Sequence, residues 1–220
     1  MLQTLPDSGF DRVAAFYDPL AQLVYGRALQ AAQQAALAAG LPAGAPRVLI
    51  IGGGTGWVLL EALRCRPQAQ VLYLEASPRM LSKARAALAA QLPAAAAQVE
   101  FRLGTEAALL PTDTFDVIVT FFLLDLFEPA RLRHLVGRLQ AAARPDAPWL
   151  LADFAAPCVW WQRGLLAAMY RFFRFTAGIS ARTLPPIRQE LARVGLRPVQ
   201  EWQFFGGMVE AVVWQPVGPT

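Results

Sequence analysis

The chain has 220 residues, a net charge of +4 at pH 7, two cysteines and one histidine, and 55% of its residues are hydrophobic. That length is enough to bury a full core and predicts a single α/β domain with one accessory element. Cys65, Cys158 and His134 are too few for a zinc or disulfide framework, and both thiols read as structural; no charge-free apolar run is long enough to cross a bilayer; and the arginines are scattered, not gathered into the basic stripe of a nucleic-acid binder, so nucleic acid is not the expected partner.

In chain order, the start MLQTLPDSGFDR lacks the basic beginning and apolar centre of a secretory signal, and a cytoplasmic protein is expected. After Asp18 and Pro19, residues 20–39 have helical composition and end at Gly40. The rhythm then changes. VLII (48–51), VLYLE (71–75), VEFRL (99–103), FDVIVTFF (115–122) and WLLADF (149–154) are short apolar runs rich in β-branched and aromatic residues, separated by helical segments. Strand alternating with helix predicts a parallel sheet covered on both faces. The alanine-rich stretch 84–97 reads as helix followed by loop, and helix 130–143 has its apolar stripe at Leu132, Leu135, Val136 and Leu139, which turns His134 to solvent. A last helix is expected over 185–196, and strands 199–205 and 208–214 flank Gly206-Gly207, a two-residue hairpin signal, so the sheet should finish with an antiparallel strand. The resulting parts are an N-terminal helical lid (1–45), a core (46–155), an aromatic helical insertion (156–182) and a last helix with closing hairpin (183–220), all in one domain.

The densest signal is VLIIGGGTGW (48–57), a buried strand that runs into Gly52, Gly53, Gly54 and Gly56 at the mouth of a helix. Bare main chain and helix N–H groups at that point suit a nucleotide-like ligand. A dinucleotide fingerprint would need a small third residue for close helix packing, but that position is Trp57. The spacing that fits is G-x-G-x-G. Taken with FDRVAAFYD (10–18), VLYLEAS (71–77), FDVIVTFFLLDLF (115–127) and ARPDAPWLLADF (143–154), it resembles the class I S-adenosylmethionine-dependent methyltransferases, particularly the branch acting on quinones and other small molecules.

The resemblance implies a Rossmann-like, seven-stranded, mostly parallel sheet with a C-terminal antiparallel hairpin strand, helices on both faces and a helical cap. It implies S-adenosylmethionine as cofactor, held by the four glycines and by Glu75, whose carboxylate would accept from the ribose hydroxyls; Ala76 and Met80 would lie along the adenine, with Phe121 also among the cofactor contacts. Two positions depart from the pattern. Ile50 stands where an acidic residue commonly helps hold the methionine amine, and LGTEA follows the third strand where an acid usually meets the adenine amino group, leaving Thr105 or Glu106 to substitute. Tyr17 and Asp18 would close over cofactor or acceptor, a structural packing role being the alternative.

Methyl transfer from a sulfonium is an in-line displacement that positioning accelerates, so no covalent nucleophile is needed. A phenol or acidic carbon as acceptor would call for a general base, and Asp125 in FFLLDLF is the best-placed carboxylate, a loop or cap role being its alternative. PCVWWQRGLLAAMYRFFRF (157–175), read as a helix, gathers Trp161, Leu165, Met169, Phe172 and Phe173 on one face and Arg163, Arg171 and Arg174 on the other. That pattern fits a cap over an apolar small-molecule acceptor, an ordinary core helix, or a helix lying on a membrane surface. Two further function classes stay open: a non-catalytic S-adenosylmethionine-fold binding module and an NAD-type oxidoreductase, the latter disfavoured by Trp57.

Overall fold

The computed structural model of the chain describes residues 27–156 and 184–218, and between them Val159, Trp160, Gln162, Gly164, Leu165 and Arg171. Its strands are the apolar runs of the sequence: β1 (Arg47–Ile51), β2 (Gln70–Glu75), β3 (Val99–Leu103), β4 (Val117–Phe121), β5 (Trp149–Phe154), β6 (Leu196–Phe204) and β7 (Val209–Pro216). They form one sheet in the order β3-β2-β1-β4-β5-β7-β6. β1 to β5 are parallel, and β7 runs antiparallel to both β5 and β6. The seven-stranded, mostly parallel sheet with an antiparallel closing strand is thus as expected, and the chain order reverses between β1 and β4, which opens a crevice at their carboxyl ends.

Alternation along each strand divides the core in two. Val48, Ile50, Val71, Tyr73, Val117, Val119, Leu150 and Ala152 face helices α1 (Ala28–Gly40), α2 (Trp57–Cys65) and α3 (Pro78–Gln91). Leu49, Ile51, Leu72, Leu74, Ile118 and Leu151 face α4 (Pro129–Ala141) and α5 (Ile187–Arg193). Because both faces are covered, strands β1, β4 and β5 are apolar at nearly every position, whereas the edge strand β6 is mostly exposed.

Several boundaries move for local reasons. α5 is shorter than the expected 185–196, since Pro186 lies outside the helix as its N-cap and Gly195, at φ +83°, turns the chain directly into β6. The hairpin between β6 and β7 is not a two-residue turn: a 3-10 turn over Phe205–Gly207, with Phe205 and Gly206 both at positive φ, separates strands that are longer than expected. Within 84–97, the helix runs to Gln91 and a second 3-10 turn, Pro93–Gln98, replaces the loop. The α4 stripe is the predicted one, with His134 exposed. Among the described residues no helix is long and apolar enough to cross a membrane.

Candidate functional site

The glycine turn sits at the carboxyl end of β1, and each glycine answers to a different neighbour. A Cβ on Gly52 would stand 2.7 Å from Leu123 Cδ1, one on Gly53 would stand 2.5 Å from the Tyr73 ring, and one on Gly56 would stand 2.7 Å from Ala84 Cα. These three are therefore required by the protein's own packing. Gly54 is different. Its φ of +64° excludes most side chains, yet the nearest atom to an added Cβ is Met80 Sδ at 3.9 Å. Among the described residues, only at Gly54 does the turn present bare backbone that no neighbour fills, and Gly56, at φ +99°, then starts α2.

Glu75 closes the opposite side. It ends β2, is only 6% exposed, and its Oε2 accepts from the Gly54 N–H at 3.0 Å while Oε1 accepts from the Ser77 N–H at 2.9 Å. Two backbone donors thus fix the plane of a carboxylate that has about four lone-pair sites. Ser77 is the N-cap of α3, with Oγ accepting from the Met80 N–H at 3.1 Å and Pro78 pre-set in the first turn. That cap places Met80 beside Gly54, and Ala76, half-buried, lies between Glu75 and Ser77. Tyr73, one pleat below Glu75, donates its hydroxyl to Gly54 O at 2.9 Å. The buried Tyr73 ring therefore supports Gly53 from beneath and holds the next carbonyl from the side.

A second group lies at the carboxyl ends of β4 and β5. After Phe121 the chain enters the left-handed region at Phe122 (φ +52°), whose N–H donates to Ala152 O at 2.7 Å, then makes a 3-10 turn over Leu124–Leu126. A non-glycine residue held at positive φ is strain that the surrounding contacts must sustain. Asp125 is 2% exposed and hydrogen-bonded to Asp153, which is fully buried and also accepts from the N–H groups of Leu124 (3.2 Å) and Phe154 (2.8 Å). Burial pushes Asp125 up to about 7 against the opposing hydrogen bond from Asp153, and burial together with the charge of Asp125 pushes Asp153 well above the usual carboxylate range.

Other expected site residues are placed differently. Both Glu106 oxygens bind the Arg131 guanidinium at 2.7 Å, so its carboxylate is committed to α4; Thr105 Oγ1 caps the turn Glu106–Ala108 by accepting from the Ala107 N–H. Phe121 and Ile50 belong to the core on the α1–α3 side, and Leu165 packs half-buried against that same core. Burial, then the nearby Glu61, raises the Cys65 thiol above its ordinary value against the pull of Arg66, which leaves it an unactivated structural thiol. Tyr17, Asp18, Trp161, Met169, Phe172 and Cys158 lie outside the described residues.

The methyltransferase domain family matches residues 49–148, the interval that holds the glycine turn, Glu75 and the turn after β4. The chain is 28% identical to the ubiquinone/menaquinone biosynthesis C-methyltransferase of Syntrophotalea carbinolica, over 91% of this chain and 89% of that protein. Residues 49–148 thus match the methyltransferase domain family, in line with the class I S-adenosylmethionine-dependent methyltransferase resemblance of the sequence. Of the alternatives left open by the sequence, the match sets aside the nicotinamide enzyme. Solved structures share this fold at low identity. The N-methyltransferase NodS from Bradyrhizobium japonicum, in complex with S-adenosyl-L-homocysteine, superposes with a TM-score of 0.68 at 15% identity over 96% of this chain and 98% of that one. The mitomycin 7-O-methyltransferase MmcR superposes with a TM-score of 0.66 at 22% identity over 94% of this chain, which spans 60% of MmcR's length.

Four residues around these two groups carry no role in the sequence reading: Tyr73, Ser77, Leu123 and Asp153. Ser77-Pro78 carried a usable signal, an N-cap followed by proline in the first turn. Tyr73, Leu123 and Asp153 carried none, because each matters through a neighbour distant in sequence.

Proposed function

We propose that this chain is an S-adenosylmethionine-dependent methyltransferase acting on a small apolar or amphiphilic acceptor of phenol, quinone-like or lipid-like character, with the adenosyl part of the cofactor seated between Gly54 and Glu75. The observation that carries the seat is Gly54 itself: left-handed, facing space that none of the described residues fills, and bonded through its N–H to the carboxylate that ends β2. The residues fit the group. In this reading Glu75 accepts from the ribose hydroxyls, Met80 and Ala76 lie along the purine, and the glycine loop lets the methionine part approach main chain; with Ile50 buried in the core, backbone groups of the loop take over the amine. The cofactor supplies an electrophilic methyl group, and the chain's task is to orient donor and acceptor in line and keep water out.

The apolar acceptor is supported by the composition of the carboxyl edge beyond the cofactor seat. The Phe122 and Phe154 rings pack tilted, 5.5 Å between centroids, and Leu165 belongs to the same cluster. The quinone-type relative named above has the same leaning in its name, and it is the coarser likeness, not its particular substrate, that is carried over. Peripheral membrane contact through 157–175 belongs to the same reading. No acidic residue occurs between Asp153 and Glu190, while Arg163, Arg171, Arg174 and Arg182 do, and Trp160 is 84% exposed.

The test is transfer of labelled methyl from S-adenosylmethionine to a panel of phenols, quinols, amines, carboxylates and isoprenoid-tailed hydroquinones. Turnover confined to polar amines would overturn the acceptor class. Co-sedimentation with anionic and zwitterionic vesicles tests the surface contact, which requires preference for the anionic ones.

A further inference from the structure

The turn after β4 is tied to β5 by three links. Phe122 N–H donates to Ala152 O, Leu124 N–H donates to Asp153 Oδ2, and the Asp125 carboxyl is hydrogen-bonded to that of Asp153. The third link carries a chemical condition. Carboxylates only accept, so two carboxyl groups bond to each other only when at least one of them keeps its proton. Between Phe122 and Leu124 lies Leu123, whose Cδ1 occupies the place a Gly52 side chain would take, 2.7 Å from the built Cβ position. The turn therefore rests directly on the first glycine of the cofactor loop.

We propose that Asp125 and Asp153 are positioning residues, a proton-sharing clamp that holds Leu123 against the glycine loop, so that tight cofactor binding requires the pair to keep one proton. The proposal rests on the reading that the loop seats the cofactor. Loss of the shared proton places two negative charges side by side in a dry site and removes the link. Phe122, held at positive φ by contacts on either side, then has less to keep it there, and Leu123 is free to leave Gly52. Both groups are raised by burial, Asp125 to about 7, so the pair keeps its shared proton to higher pH than an ordinary carboxylate would.

Among the described residues, the other charges around the pair do not supply a counter-ion. Opposite Asp153 on β7 stands Glu210, which Arg188 of α5 bonds at 2.6 Å while also bonding Glu201 of β6. On α5, Glu190 is bonded by Arg133 of α4 and lies 3.7 Å from Arg193; on α4, Arg131 is bound to Glu106, His134 is exposed, and Arg138 donates to Leu109 O. Glu128 stands at the start of α4, and neither β4 nor α1 carries a charged residue.

Calorimetric titration of the full chain with S-adenosylhomocysteine at pH 6.0, 7.0 and 8.5 tests the clamp. Wild-type affinity should fall by up to about thirtyfold across that range, since a required proton with a value near 7 costs up to tenfold per pH unit above it. Asp125→Asn should flatten the profile, because the amide donates to Asp153 without a titrating proton and leaves Asp153 its two backbone donors. Amide hydrogen exchange of residues 122–126 in the ligand-free wild type, corrected for intrinsic pH dependence, should accelerate over the same range. A wild-type affinity constant within twofold, or an Asp125→Asn profile as steep as the wild type's, overturns the proposal. If Asp125→Asn does not fold, the wild-type profile and Asp153→Asn decide in the same way. Failure to bind at every pH strikes the cofactor seat instead, and the exchange experiment then judges the clamp alone.

Discussion

Replacing Gly54 by alanine separates what the glycine turn does for the fold from what it does for the cofactor. The methyl group has room, since its nearest neighbour is Met80 Sδ at 3.9 Å, so the stability cost is conformational. Holding an L-residue at φ +64° costs about 1–2 kcal/mol, partly offset by about 0.4–1 kcal/mol from the stiffer unfolded chain. A net loss of about 1 kcal/mol is expected. Gly53→Ala drives its methyl to 2.5 Å from a fully buried Tyr73 ring, which cannot retreat without giving up the 2.9 Å bond to Gly54 O. Overpacking of about 1–3 kcal/mol plus that bond, about 1 kcal/mol, makes it the more damaging change. Binding should rank the other way relative to stability: Gly54→Ala keeps the fold but raises the Kd for S-adenosylhomocysteine at least about tenfold, because the methyl enters the space the ligand needs. Urea denaturation gives the first quantity and calorimetry the second. Unchanged affinity in Gly54→Ala, or a Gly53→Ala protein as stable as the wild type, would refute the division of labour among these glycines.

Three further outcomes are expected. Glu75→Ala should weaken S-adenosylhomocysteine binding by about 1.5–3 kcal/mol, measured by calorimetry, with Glu75→Gln intermediate because it keeps an acceptor for one of the two backbone N–H groups. For the Asp125–Asp153 pair the folded-state values lie above the unfolded ones, so its contribution to stability is fully present below about pH 4 and is lost as pH rises towards about 7, by up to about 1.4 kcal/mol per pH unit; urea denaturation from pH 4.5 to 7.5 should show a decline that Asp125→Asn reduces. Asp113 behaves oppositely: burial alone would raise it, but hydrogen bonds from Arg102 and Leu110 N–H and the charges of Arg102 and Arg47 outweigh burial and hold it below the usual range. Its stabilisation is present above about pH 4 and lost as pH falls through its folded value, and Asp113→Asn should cost about 2–3 kcal/mol at pH 7, read from the urea midpoint.

The strands were legible because parallel strands buried on both faces must be apolar at consecutive positions, and runs such as VLII and VIVTF have few other uses. Less legible were the limits of short elements, where the competing signals lie within two or three residues of each other. Pro185-Pro186 and Gly195 bracket α5 more tightly than its apolar face suggested, and Phe205 adopts a positive φ that no phenylalanine advertises. Glu106 shows a different limit. As a candidate for the adenine it was indistinguishable in sequence from an acid that meets Arg131, because the partner is set by how α4 docks and not by any local pattern.

The glycine turn shows how a cofactor seat proposed from four glycines can rest on unfilled space at only one of them. Glycine is selected identically by a ligand that needs bare backbone and by a side chain that needs the same volume, and a sequence records the demand without its source. Here Leu123, Tyr73 and Ala84 account for Gly52, Gly53 and Gly56. That redistribution strengthens the site: a loop braced on three sides by protein atoms, with its fourth residue bonded through N–H to Glu75 and through C=O to Tyr73, holds its shape before any ligand arrives. Binding then costs little ordering of the loop, so affinity is concentrated in the contacts made at Gly54 and Glu75. The same bracing makes the seat sensitive to whatever moves a brace, and Leu123, standing on a turn fastened by two buried acids, is the brace whose hold depends on a proton.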